Sequence, residues 1–110
     1  MKKMLIGVLA APILALSGAP VAAASEQDFV NAIASLGHYA ITCEGCAQDA
    51  IAVGYKVCSA FSNGEAAAVQ AVLNSYNADT SSSRNYYANL FAQYAAYELC
   101  PQYNGQIGPI

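Results

Sequence analysis

The sequence predicts an all-α fold: a small four-helix bundle stapled by disulfides, following a cleaved signal peptide. Three observations lead there. Apolar residues recur at three- and four-residue spacings in four segments, no stretch alternates as a strand would, and four cysteines sit in a chain of 110 residues whose start carries the marks of export.

Met1-Lys2-Lys3 is a short basic start, and Met4 to Leu16 is an almost unbroken apolar run of 13 residues. Ser17, Gly18 and Pro20 follow, then Val21-Ala22-Ala23-Ala24, small residues at the positions a signal peptidase reads. Crossing the hydrocarbon core takes about 20 residues, so residues 1–24 read as a secretory signal peptide and not as a membrane anchor. A lipid anchor would need a cysteine just after the run, and the first one, Cys43, lies far beyond it. The mature chain from Ser25 is therefore expected to be one small domain, secreted or held in the cell envelope, with no membrane span.

Ser25 with Asp28 three residues on resembles a capping box, and Phe29, Ile33 and Leu36 then share one helical face before Gly37 ends the first helix. His38 to Gly45 has no periodicity and reads as a loop leading to Cys43-Glu44-Gly45-Cys46. A second helix is expected from about Cys46 to Phe61, with Ala47, Ile51, Gly54, Cys58 and Phe61 on its buried stripe. Gly54 in mid-helix costs about 1 kcal/mol against alanine, which close approach of a neighbouring helix would offset.

Ser62 with Glu65 repeats the capping-box spacing, and Val69, Val72, Leu73 and Tyr76 form the buried face of the third helix. Asn77, Asp79, Thr80 and a serine triplet make its polar stop. From Ser82 or Ser83 a fourth helix carries Tyr87, Leu90, Phe91, Tyr94 and Tyr97, and Pro101 stops it just beyond Cys100. The helical domain thus spans residues 25–101. Residues 102–110, with Gly105, Gly108 and Pro109, are expected to be a flexible tail, extended or disordered.

In an oxidising compartment, Cys43, Cys46, Cys58 and Cys100 read first as two bridges. Three pairings are formally possible. Cys43 and Cys46 are too close in sequence to be independent, which favours Cys43 with Cys46 and Cys58 with Cys100. A closure as long as Cys58 to Cys100 is worth about 4 kcal/mol in the loop-entropy model, a large share of the net stability of so small a domain.

Phe29 in an opening helix, the Gly-x-x-x-Cys from Gly54 to Cys58, Gly64 closing that helix, and an aromatic last helix ending in Cys100-Pro101 together resemble the domain of unknown function 732. The resemblance covers about Asp28 to Pro101. It implies a small exported actinobacterial protein with a signal peptide, a helical fold and a Cys58 to Cys100 bridge. It brings no activity, ligand or catalytic residue, and the Cys43 and Cys46 pair looks like an addition to the common pattern.

Loss of the signal peptide removes Lys2 and Lys3, leaving Lys56 and Arg84 against seven acidic residues, a net charge of −5. Two scattered cations cannot neutralise a row of phosphates, which argues against nucleic-acid binding and against anionic membrane surfaces. Redox catalysis by Cys43 and Cys46 is the sharpest chemical candidate, since a helix N-terminus stabilises a thiolate. However, the βαβ setting of thiol oxidoreductases is missing and Glu44 opposes a neighbouring thiolate. A structural local bridge is the plainer reading.

Zinc would find one C-x-x-C half-site and His38, but no second half-site of matching spacing. Hydrolysis would find a single histidine, His38, in a loop where it reads as a solvated side chain, and no serine in a nucleophile setting. The acids are spread over every segment, as caps and solvated faces would be. No catalytic residue, metal or cofactor is expected. Of the eight tyrosines, Tyr76, Tyr87 and Tyr94 read as bundle core, while Tyr86 and Tyr97 fall partly off the buried stripe and suit an interaction surface. The reading is a non-enzymatic binding module for a protein or envelope ligand, with a thiol–disulfide protein using Cys43 and Cys46 as the alternative.

Overall fold

The computed structural model describes residues 19–106, with side chains from Glu26 onward. Most of the expected signal peptide, residues 1–18, and the last part of the expected tail, residues 107–110, lie outside the described residues. Among the described residues there are four α-helices and no strand: α1 Ala19–Ser35, α2 Cys46–Ala60, α3 Glu65–Ser75 and α4 Arg84–Glu98, with 3-10 turns over Phe61–Asn63 and Pro101–Gln106. None of these helices is long and apolar enough to cross a membrane.

The first helix passes through Ser25 instead of starting there. Ala22-Ala23-Ala24 are strong helix formers, so the turn before Ser25 is already helical and the serine has no exposed N-terminus to cap. Its far end is as expected: the Gly37 N–H bonds the Ala34 carbonyl, and Phe29 and Ile33 are fully buried. The expected capping box at Ser62 is also absent. Ser62 turns back to donate to the Ser59 carbonyl, and Gly64 stands at the N-cap of α3 with φ 102° and ψ 168°. Glycine alone adopts that conformation readily, so the backbone and not a side chain shapes the corner between α2 and α3.

Two buried stripes are rotated from the expected ones. In α2 the residues facing inward are Ala50, Val53, Gly54, Val57 and Cys58, while Ala47 and Ile51 are only half-buried. In α4 the inward stripe is Ala88, Phe91, Ala92, Ala95 and Ala96, and the tyrosines flank it. Tyr76, Tyr87 and Tyr94 are thus half-buried shoulders and not the core itself. The reason is steric: α4 packs against α1, α2 and α3 at once, and a helix so surrounded lies close to all three only where its side chains are short.

Three phenylalanines fill the remaining volume. Phe29 of α1 meets Phe91 of α4 edge-on, with ring centroids 5.3 Å apart, and Phe61 closes the lower end at the turn after α2. Full burial of each such ring contributes roughly 1.5–3 kcal/mol. Cys58 and Cys100, both buried, are joined across a separation of 42 residues, and Cys43 is joined to Cys46. The longer bridge ties the last turn of α2 to the residue just past the end of α4. At the surface, the Tyr55 hydroxyl of α2 donates to Glu26 of α1, and that bond pushes the phenol's pKa up to about 12.

The chain beyond Cys100 departs from the expected extended tail. Pro101–Gln106 winds into 3-10 turns, the Tyr103 ring stacks on Phe61 with centroids 5.5 Å apart and planes 13° apart, and the Gln106 amide reaches the Phe61 carbonyl. One apolar ring so near the Cys100 anchor is enough to hold the segment down. Its glycine and proline content alone does not reveal this.

Gly54 lies where α1, α2 and the end of α4 converge. A Cβ built there would stand 2.5 Å from Leu99 Cδ1 and 3.0 Å from Phe29 Cζ. Phe29 is fully buried and has nowhere to move, so Gly54→Ala is expected to destabilise the protein by about 1–2 kcal/mol despite its better helix propensity. In a Leu99→Ala background, where the closest atom is gone and only the Phe29 contact stays, the same change should cost clearly less. Urea denaturation of the four proteins checks this, and equal costs in both backgrounds would refute the steric account.

Candidate functional site

A cleft of about 310 Å³ opens where three connections meet. The loop after α1 contributes His38, Tyr39 and Ala40; the first turn of α2 contributes Cys46 and Asp49; the loop between α3 and α4 contributes Tyr76, Ala78 and Asp79. Each connection is held locally. The Cys46 N–H bonds the Cys43 carbonyl beside the disulfide, and Gly45, at φ 78°, makes the left-handed turn that lets α2 begin at Cys46. In the α3–α4 loop Asp79 accepts from both the N–H and the hydroxyl of Ser81, closing an Asx turn, and the Arg84 guanidinium donates to the Ser81 carbonyl.

Aromatic rings build the floor. Tyr39 packs edge-on against Phe91 at 5.2 Å and meets Tyr76 at 4.8 Å with 49° between the planes. Tyr76 also rests edge-on against Phe91, so the cleft floor stands directly on the bundle core. His38 stacks face to face on Tyr87, 4.1 Å away and 8° from parallel, and Tyr39 meets it edge-on. Burial raises the Tyr39 pKa above that of an ordinary phenol, helped by Tyr76 and Asp79; burial and then Asp49 raise that of Tyr76. Both phenols are therefore neutral at physiological pH.

His38 Nε2 and Asp79 Oδ2 lie 2.7 Å apart, both groups half-buried. The Ser81 hydrogen bonds first, then that of His38, hold the Asp79 carboxyl near pKa 2. His38 is thus not the solvated loop residue expected, nor is Asp79 merely part of a polar helix stop. The two residues stand 41 positions apart with no spacing rule to link them, and the pairing arises only because the loop after α1 meets the loop between α3 and α4, with His38 stacked on Tyr87.

In this chain of contacts the carboxylate sits in the middle, between serine and histidine. A hydrolase needs the histidine in the middle, between nucleophile and carboxylate. The arrangement therefore fixes loops and lines a cleft, and it does not assemble a nucleophile.

Of the other sequence-predicted residues, Cys43 is exposed and Cys46 is half-buried at the cleft edge as the first residue of α2. Cys58 and Cys100 are core. Among the described residues no three His, Cys, Asp or Glu side chains converge as a metal site would require. Tyr86 and Tyr97 both stand exposed on α4, away from the cleft lining, and Tyr86 leans edge-on against Tyr87.

The family model described as protein of unknown function DUF732 matches residues 25–102. The chain belongs to the DUF732 family. That match begins inside α1 and ends just past Cys100, so every residue of the cleft lies within the DUF732 segment. No curated protein and no solved structure matches the chain.

The Asp79 linkage has a definite sign. A carboxylate whose folded-state pKa is near 2, against an ordinary value of 3.8, contributes stability that is fully present above the ordinary value and is lost as pH falls through about 2. Asp79→Asn keeps an acceptor for Ser81 but cannot titrate. The stability gap between wild type and this variant, measured by denaturant midpoints, should shrink as pH is lowered from about 4 to about 2. A gap independent of pH would refute the assignment.

Proposed function

We propose that this DUF732 protein is an exported, non-enzymatic binding module, secreted or held in the cell envelope, with its ligand seated in the cleft between the His38 loop, α2 and the α3–α4 loop. The observation that carries this reading is the cleft itself. A volume of about 310 Å³ is at the small end of ligand sites, its floor is aromatic, and its His38 and Asp79 groups are engaged with each other and, behind the lining, with Ser81, and not poised for chemistry. Export is supported by the character of residues 1–24 and by two disulfides, which suit an oxidising compartment. Tyr86 and Tyr97, 63% and 36% exposed and about three helical turns apart on one side of α4, offer a second surface for a protein or envelope partner.

Thiol–disulfide exchange remains the second reading because of one observation: the Cys43–Cys46 bridge lies at the surface with Cys46 at the N-terminal end of α2, where a released thiolate is stabilised.

Two measurements separate these readings. In an NMR titration of the oxidised protein with phenol as a general probe, the shifts should centre on Tyr39, Tyr76 and Ala78, and a Cys43→Ser, Cys46→Ser double variant should respond alike. Shifts centred on Tyr86 and Tyr97, or spread evenly, would refute the cleft as the binding site. If wild type accelerates the reduction of oxidised glutathione by dithiothreitol and the double variant does not, the exchange reading replaces it.

A further inference from the structure

The cleft has a chemical bias that its shape alone does not convey. Its lining includes two carboxylates, Asp49 and Asp79, and neither lysine nor arginine. Tyr39 and Tyr76 both line the cleft, their rings tilted 49° to each other at 4.8 Å, and both phenols lie within the field of a carboxylate, Asp79 for the first and Asp49 for the second. An anion entering here would meet the exposed Asp49 carboxylate, while the only basic side chain of the lining, His38, is already engaged by Asp79. A neutral apolar ligand would desolvate the rim carboxylate and return nothing for it.

A cation meets the opposite situation, and the hydrogen-bond inventory narrows its type. Asp79 is already engaged by Ser81 through Oδ1 and by His38 through Oδ2. Asp49 stands exposed in the first turn of α2, so one carboxylate is left for an ionic partner. A primary ammonium has three N–H donors to satisfy. An alkylated ammonium has few or none: it needs diffuse negative potential, aromatic faces within about 6 Å and apolar walls, which Tyr39, Tyr76, Ala40 and Ala78 supply.

Resting on the reading of this cleft as a binding site, we propose that its ligand class is a quaternary or heavily alkylated ammonium ion, with the cationic head against Tyr39 and Tyr76 and its charge opposite Asp49. The net charge of the chain, negative overall, draws such a cation toward the protein from a distance.

The test uses choline and its uncharged tert-butyl isostere, which share a shape and differ in charge, titrated into the oxidised wild-type protein and followed by NMR. Choline should shift the Tyr39, Tyr76 and Ala78 signals and bind about five- to tenfold more tightly than the isostere. Asp49→Asn, an exposed change that keeps the fold, should weaken choline about threefold and leave the isostere unchanged. Phosphatidylcholine vesicles that compete with free choline would identify a lipid headgroup as the source of the cation, and vesicles that do not would point to a free small molecule. Equal binding of choline and isostere, or cleft signals that move with phenol and not with choline, would overturn the ligand class while leaving the cleft as the binding site. If neither phenol nor choline reaches these residues, both readings fall together.

Discussion

The Phe91 ring is the part on which the rest of this structure depends. Fully buried in α4, it meets Phe29 of α1 on one side and Tyr39 and Tyr76 on the other. A single side chain thereby joins the first helix, the loop after it and the end of α3. Because aromatic pairs favour edge-on contact, each neighbour's orientation is restricted as well as its position. The cleft floor inherits its rigidity from the core through this one residue.

Around Phe91 the bundle relies on small residues and two covalent ties in place of a large apolar core. Ala88, Ala92, Ala95 and Ala96 let α4 lie close to three other helices, and Gly54 does the same from α2 toward Phe29 and Leu99. Such packing buries little area per residue, which is why the Cys58–Cys100 bridge matters: it limits the unfolded chain and holds the end of α4 where Leu99 fills the space over Gly54. The shorter Cys43–Cys46 bridge works at another scale. It closes the turn that delivers α2 to the cleft, so the same chemistry stabilises the core in one place and shapes a binding edge in another.

Polar groups in the cleft are mostly satisfied by one another, and this limits what the site does. Ser81 and His38 share Asp79 between them, and Tyr87 supports the imidazole from below. A carboxylate so engaged steadies the two loops it joins and lends the cleft a fixed negative charge, without leaving a nucleophile or an unshared proton acceptor beside the histidine. All of these residues lie within the segment that the DUF732 model matches. The neutral phenols of Tyr39 and Tyr76 then contribute surface and ring quadrupole, and Asp49 at the mouth supplies the remaining charge.

How much was legible beforehand depended on whether the cause was local. Helical periodicity, the stops at Gly37 and Pro101, and the Cys43–Cys46 proximity are properties of neighbours in the chain, so the all-α class, the four helices and the pairing of the cysteines followed from the sequence by itself. Which face of each helix is buried did not, because Tyr87 and Ala88 stand side by side and only the crowding around α4 selects the alanine. Tyr103 was likewise unreadable as an anchor until Phe61 lay opposite it. The cleft was least legible of all: His38, Asp49 and Asp79 belong to three separate connections and share no spacing rule. Only the packing of Tyr39 and Tyr76 on Phe91, a long-range contact that a linear pattern does not encode, brings them together.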